Sequence, residues 1–176
     1  MGIFRLNHVV LYVRDVEISR TFYQEVLGFT VIHNTVGRAC FLQAPGSTND
    51  HDIGLFGIGT TAGASEAGRQ TVGMYHIAWE VATLGELITL RDDLQRRGNL
   101  VGATDHSATK SLYAMDPDGL EFEVCWIVPK SLLTDEILEG RRTNQPLNLE
   151  GEIERFGATT RGGLGVSVPL GVSVDA

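Results

Sequence analysis

The stretches LNHVVLYV (6–13) and MYHIAWEV (74–81) decide the fold, because both alternate between apolar and polar residues around a central histidine. Successive side chains of a β-strand point to opposite faces, so each stretch predicts a half-buried strand. His8 and His76 hold the same place in the two stretches. Similarity at a fixed spacing indicates that the chain repeats one structural unit.

Each of these strands is followed by a helical pattern and then by three short strand patterns. The helices are predicted over 16–28 and 84–98, and both end on a glycine suited to a helix C-cap. The following strands are predicted at 29–36, 38–44 and 51–58 in the first half and at 100–106, 111–115 and 120–128 in the second. DPDG (116–119) is a hairpin turn signal. We therefore expect an α+β fold of two tandem βαβββ modules whose curved mixed sheets form a cleft.

The predicted organisation has four parts. The first module covers 1–58, a Gly/Ser-rich linker or lid covers 59–72, the second module covers 73–129, and an irregular C-terminal extension covers 130–176. SLLTDEILEGRR (131–142) in the extension has a helical pattern. The Gly-rich end predicts an extended tail that is either disordered or wrapped around a partner subunit.

The composition limits the classes of partner. The chain has 176 residues, 43% of them hydrophobic and 20% charged, which suits a packed globular core. Its net charge of −8 argues against nucleic acid and anionic membranes as partners, since both require a basic surface. No run reaches membrane-spanning length, and the N-terminus has no signal-peptide pattern. Two cysteines without a CxxC motif favour a reducing cytoplasm.

Strand alternation brings ligand-type groups to one face of each predicted strand. His8 lies opposite the face of Val9 in the first strand, and His76 is placed likewise in its own strand. Glu121 and Glu123 share a face of the last strand, and alternation does not choose between them. Two neutral imidazoles and one carboxylate suit a divalent first-row metal with open positions for substrate and oxygen. The alternative for either histidine alone is a hydrogen-bonded residue of the core.

The duplicated module, the paired strand histidines and the DPDG-x-x-x-E ending resemble the vicinal oxygen chelate superfamily. The resemblance covers about residues 4–128. Its family ligands are the first-strand histidine, its equivalent in the repeat, and the glutamate four residues past the turn glycine. The resemblance therefore implies His8, His76 and Glu123 as the metal ligands.

Within that superfamily the sequence is most similar to the type I extradiol, or catechol 2,3-, dioxygenases. TDHSATKSLYAMDPDGLEFEV (104–124) resembles their signature and places His106 and Tyr113 in the catalytic positions. HDIGLF (51–56) resembles the strand that carries their acid/base histidine, which implies His51. The resemblance implies a non-haem Fe(II) enzyme, with Mn(II) or another divalent metal as alternatives. It would cleave a small catechol-type aromatic with O2, in aromatic compound catabolism.

The resemblance also implies roles for the three catalytic residues. His51 would remove and return a proton near the oxygen, as a histidine poised near neutral pH can. His106 and Tyr113 would hydrogen-bond the substrate oxygen and stabilise charge on it. Paired modules of this fold associate, so we expect a homo-oligomer.

Two other functions fit the same fold. One is another metalloenzyme of the superfamily, such as a glyoxalase, an epimerase or a thiol transferase, which would use the same ligands. A four-ligand glyoxalase site requires a Glu or Gln in the last strand of the first module, where HDIGLFGI offers only His51 and Asp52. The other function is non-enzymatic: a resistance protein that binds an aromatic drug, which requires no tightly bound metal.

Overall fold

The computed structural model describes residues 2–3, 5–68 and 70–163. The chain forms two compact units. Unit 1 comprises Met1–Glu66 together with the turn Asp116–Leu120, and unit 2 comprises Ala67–Met115 and Glu121–Ala176. Each unit contains one β-α-β-β-β run, so the α+β class and the two-module arrangement are confirmed.

Unit 1 is a four-stranded mixed sheet with one helix. Its elements are β1 Val9–Val13, α1 Val16–Leu27, β2 Thr30–Thr35, β3 Ala39–Gln43 and β4 Ile53–Gly57. The strand order is β1-β4-β3-β2, with β1 parallel to β4 and the other pairs antiparallel. Leu11 and Val13 of β1 are buried whereas Val10 and Tyr12 are exposed, as the alternation predicts.

Local sequence signals explain where α1 begins and ends. The Asp15 side chain accepts hydrogen bonds from the first free backbone N–H groups of the helix. Gly28 closes the helix with φ of 71°, a left-handed conformation that glycine adopts without strain. Val16, Phe22, Tyr23 and Val26 form the buried face of α1 in the core of unit 1.

Unit 2 repeats this topology. Its module consists of β5 Ile77–Glu80, α2 Leu84–Arg97, β6 Leu100–Asp105, β7 Thr109–Met115 and β8 Glu121–Ile127. The sheet order is β5-β8-β7-β6-β9, in which β5 is parallel to β8 just as β1 is to β4. A capping box between Thr83 and Glu86 starts α2, and left-handed Gly98 ends it. The duplication predicted from sequence is therefore present in the fold.

The extension is more regular than predicted over its described part. It contains a 3₁₀ turn at Lys130–Leu132, α3 Asp135–Gly140, β9 Gln145–Pro146 and α4 Leu149–Phe156. β9 pairs antiparallel with β6, and the Phe156 ring lies 5.5 Å from the Trp126 ring of β8. α3 lies within the helical pattern predicted at 131–142. The long-range contacts of β9 and α4 order the rest of the described extension. The predicted Gly-rich tail falls largely outside the described residues. Among the described helices, none has both the length and the apolar character needed to cross a membrane.

Candidate metal centre and active site

In unit 2, two predicted metal ligands lie side by side on neighbouring strands. His76 directly precedes β5, and Glu123 lies in the middle of β8, opposite Ala78 in the parallel register. The Nε2 atom of His76 is 3.0 Å from a carboxylate oxygen of Glu123. Their side chains are 23% and 13% exposed, so both are partly screened from water. The alternation of β8 causes this placement, because Phe122 and Val124 turn into the core on its other face.

Glu121 and Glu123 differ in their distance from His76. The nearest Glu121 oxygen is 3.9 Å from Nδ1 of His76, which exceeds a hydrogen-bond distance. That Nδ1 atom is buried and has no hydrogen-bond partner among the described residues. Glu123 instead contacts Nε2 directly, and Ser111 Oγ donates a short hydrogen bond to its other oxygen. Glu123 is thus the carboxylate of the two that lies nearer to His76 and is already oriented.

The predicted catalytic residues His106 and Tyr113 adjoin this pair. Tyr113 lies on β7 directly opposite Glu123, and its ring centroid is 5.7 Å from that of His76. His106 follows the end of β6, and its Nε2 atom is 2.8 Å from the Tyr113 hydroxyl. Burial, and next the negative charge of Glu123, raises the pKa of Tyr113 to about 12. The phenol therefore keeps its proton at neutral pH and can act as a hydrogen-bond donor.

The remaining predicted residues, His8 and His51, lie together in unit 1. His8 directly precedes β1 and His51 lies two residues before β4, and their ring centroids are 4.5 Å apart. The Nδ1 atom of His8 is 2.7 Å from the Asn7 side-chain oxygen, and that of His51 is 2.9 Å from Asp50. The predicted acid/base histidine is therefore adjacent to a predicted metal ligand.

The predicted triad draws on both units, with His8 in unit 1 and the other two ligands in unit 2. Over residues 2–3, 5–68 and 70–163, no group of three or more His, Cys, Asp or Glu side chains is arranged to hold a metal ion. The triad stays a prediction. The donors of unit 2 fit its chemistry, because an imidazole nitrogen faces a carboxylate whose second oxygen is held by a hydroxyl.

Two residues of this site were missed by the sequence analysis. Ser111, which holds Glu123, shares a face of β7 with Tyr113, so the alternation carried a usable signal. Asn144 accepts a hydrogen bond at 2.8 Å from Nδ1 of His106. It lies in the extension, beyond the range of the resemblance, where the sequence has no repeat or motif to mark it.

Curated relatives match most of this chain but only part of their own length. Biphenyl-2,3-diol 1,2-dioxygenase 3 of Rhodococcus globerulus is 34% identical over 116 residues, which are 65% of this chain and 59% of that protein. Catechol-2,3-dioxygenase of Bacillus subtilis (strain 168) is 29% identical over 154 residues, 86% of this chain and 52% of that protein. The chain therefore spans between half and three-fifths of these relatives.

Solved structures share the fold at lower identity. A glyoxylase/bleomycin resistance protein/dioxygenase domain from Frankia sp. EAN1pec superposes with a TM-score of 0.59 at 22% identity, covering 70% of this chain and 92% of that one. A fosfomycin resistance protein from Listeria monocytogenes, solved in complex with Mn(II), has a TM-score of 0.53 at 21% identity, covering 70% and 90%. The family model described as Glyoxalase/Bleomycin resistance protein/Dioxygenase superfamily matches residues 5–124. This match covers both repeats, and the chain belongs to that superfamily.

Proposed function

We propose that this chain is a metal-dependent extradiol dioxygenase that opens a catechol-type ring with O2. The observation that carries the proposal is the cluster in unit 2, where the His106–Tyr113 pair adjoins His76 and Glu123. An isomerase or a thiol transferase with the same ligands has no evident use for that pair. The relatives named as dioxygenases of biphenyl-2,3-diol and of catechol favour the same reaction class.

The proposed ligands are His8, His76 and Glu123, and the proposed metal is Fe(II), with Mn(II) or another divalent ion as alternatives. A bound divalent metal lowers the pKa of coordinated hydroxyl groups, so a chelated diol binds as an anion. Ser111 would keep one Glu123 oxygen engaged and so fix the direction of the other. Glu121, whose nearest oxygen is 3.9 Å from His76 Nδ1, would place a negative charge beside the imidazole without a direct hydrogen bond.

The chain's own side chains would then manage charge and protons on the substrate. The phenol of Tyr113, whose pKa is raised to about 12, is protonated at neutral pH and would donate a hydrogen bond to the substrate oxygen. His106 holds the phenol in place through the 2.8 Å contact at Nε2. His51 would take up and return a proton near the oxygen-binding side, which is work suited to an imidazole near neutral pH.

The proposed partners are a small aromatic diol and O2, without nucleic acid. The apolar residues Val10, Tyr12 and Phe56 on the exposed sheet face of unit 1 offer surface that an aromatic ring could cover. A cytoplasmic location and a homo-oligomeric state also belong to the proposal. Sedimentation of the purified protein would measure the oligomeric state.

The test uses full-length protein purified anaerobically and reconstituted with Fe(II). Catechol, 4-methylcatechol and 2,3-dihydroxybiphenyl are each mixed with it in air, while oxygen uptake and a yellow ring-opened product are followed together. One molecule of O2 consumed per molecule of yellow product would support extradiol cleavage. The His76→Ala variant should then lose metal and activity together. Bound metal without oxygen uptake would redirect the proposal to the isomerase and transferase members of the superfamily. A chain that binds the aromatic intact and holds no metal would be a binding protein.

A further inference from the structure

We propose that Asn144, supplied by the C-terminal extension, is a positioning residue that sets the protonation state of the two nitrogens of His106. The inference rests on the proposed function, because it concerns the same His106–Tyr113 pair. It assigns the extension a role in catalysis, although the extension lies beyond residues 5–124, which the family model matches.

The hydrogen bonds on the two sides of His106 determine its tautomer. The Asn144 side-chain oxygen lies 2.8 Å from Nδ1, and an amide oxygen can only accept, so Nδ1 carries the proton. In a neutral imidazole the other nitrogen, Nε2, then has a lone pair. Nε2 lies 2.8 Å from the Tyr113 hydroxyl, which donates to it until a substrate oxygen binds and takes that hydrogen bond. Asn144 therefore decides which member of the pair is the donor, and so where the phenol hydrogen points.

Asn144 and His106 are held in register by one strand pairing. β9 begins at the residue after Asn144, and β6 ends at the residue before His106. β9 pairs with the end of β6, with Gln145 opposite Asp105. A two-residue strand of this kind contributes little core, and its effect is to fix Asn144 next to His106.

The loop after His106 is fastened to the extension at a second point. Ser107 has φ of 66°, a conformation that non-glycine residues adopt at a cost and keep only when their surroundings hold them. Its backbone N–H donates to Asp105, and its hydroxyl donates to the Ile137 carbonyl of α3. The extension thus contacts the residue before His106, Asp105, and the residue after it, Ser107.

A third contact ties the base of this loop to α4. The ammonium group of Lys110 lies 2.6 Å from Asp105 and 3.0 Å from Glu152, and its side chain is only 1% exposed. Glu152 belongs to α4, so a buried ion pair joins the helix to the strand end that carries His106. The extension thus contacts His106 through Asn144, Ser107 through Ile137, and Lys110 through Glu152. A segment that only covered the sheet would not need three polar contacts around one imidazole.

The test compares Asn144→Leu, which removes the acceptor at similar size, with Asn144→Asp, which keeps an acceptor in place. Gln145→Leu is the control, since the exposed side chain of Gln145 lies one residue away, at the start of β9. The tautomer of His106 is read from long-range ¹⁵N–¹H spectra of ¹⁵N-histidine protein loaded with diamagnetic Zn(II). His106→Gln assigns the signal by its disappearance.

We expect the Nδ1–H tautomer in the wild type, in Asn144→Asp and in Gln145→Leu, and a mixture of tautomers in Asn144→Leu. On the Fe(II) protein, Asn144→Leu should lower kcat about 10- to 100-fold with little change in KM or metal content, as for a misplaced catalytic group. Asn144→Asp should restore most of kcat.

An Nε2–H tautomer in the wild type, or an Asn144→Leu protein with unchanged tautomer and kcat, would overturn the inference. A rise in KM together with a fall in kcat that Gln145→Leu shares would also overturn it, because the role would then be structural. The spectra require no turnover. A wild type that consumes no oxygen but shows the expected tautomers would overturn the dioxygenase proposal alone.

Discussion

The βαβββ modules of units 1 and 2 share one strand order, yet equivalent positions in their sheets carry polar side chains in unit 2 and apolar residues in unit 1. In unit 2, Glu123 of β8 lies opposite Tyr113 of β7. The same place in unit 1 is occupied by Gly54 of β4, which lies opposite Phe41 of β3. Each unit keeps the histidine that precedes its first strand. The comparison teaches that the repeated fold preserves the positions, while only one repeat supplies the carboxylate and the phenol.

Asp52, the carboxylate at the start of the last strand pattern of unit 1, binds neighbouring groups of its own turn. Asp52 is buried, and it accepts hydrogen bonds from the backbone N–H of Ala44, from Ser47 and from Asn49. Its charge therefore organises the turn before β4. Asp52 is therefore already engaged and does not offer a free carboxylate in the strand where a four-ligand glyoxalase site requires a Glu or Gln.

The largest expected effect tests the equivalence of Glu123 and Gly54. Glu123→Ala removes a proposed metal ligand, so metal affinity should fall by more than the roughly 10- to 100-fold that outer-shell partners cost. Gly54→Ala is the matched change, because a methyl group there meets Phe41 and Val10 at ordinary contact distances of 3.4 and 3.5 Å. Calorimetric titration with a divalent metal measures the metal affinity of both variants. Equal losses in the two variants would break the comparison.

The next effect concerns stability and the extension that only unit 2 carries. Lys110→Met leaves Asp105 and Glu152 without their cation, which should lower the free energy of unfolding by about 3–5 kcal/mol. Arg38 occupies the equivalent place in unit 1 and is exposed. Arg38→Met should therefore change the free energy of unfolding by no more than about 0.5 kcal/mol. Urea unfolding measures both variants. Similar small losses would show that the buried cation does not hold α4.

A smaller effect should follow from making unit 2 resemble unit 1 at Tyr113. Tyr113→Phe removes the phenol hydroxyl beside His106 and introduces the residue type that Phe41 supplies in unit 1. We expect metal content to remain and kcat to fall about 100-fold, the scale for losing one oriented donor. Tyr23→Phe is the control, because it removes a phenol hydroxyl that donates to Asp116 in the core of unit 1 and not to the proposed site. Steady-state oxygen uptake would decide, and full activity in Tyr113→Phe would remove the phenol from the mechanism.

The smallest effect is a pH dependence confined to unit 1. Burial raises the pKa of Asp116 above its usual 3.8, and Tyr23 donates a hydrogen bond to it at 3.1 Å. The folded chain thus holds this proton more tightly than the unfolded chain. Stability from this group should be present below pH 3.8 and be lost as pH rises through the folded pKa.

Asp116→Asn removes that titration while keeping an oxygen for the backbone N–H groups of Asp118 and Leu120. The variant should therefore gain stability relative to the wild type as pH rises from about 3.5 to 7. Urea unfolding at a series of pH values gives the difference. A difference that moves the other way would contradict the buried, proton-retaining carboxyl. Glu17→Gln, at a half-buried carboxyl whose pKa is lowered by hydrogen bonds from Asn34 and Arg20, should show the opposite slope.

Local sequence determined most of the fold. The glycine caps placed the ends of α1 and α2, and the alternation placed His8 and Glu123 on faces opposite the core. These features depend on residues within a few positions of each other, which is the range over which periodicity and capping act. The same alternation could have identified Ser111, because it lies on the face of β7 that carries Tyr113.

The resemblance grouped His76 with Glu123, but only the tertiary structure shows the direct contacts that distant residues make. The contact of His76 with Glu123 and the meeting of Asn144 with His106 join residues far apart in the chain. Lys110, a strand residue in the sequence, is buried because α4 returns with a carboxylate to neutralise it. Such contacts follow from strand register and from the path of the extension. Both are set by the packing of the whole unit, and no local pattern encodes them.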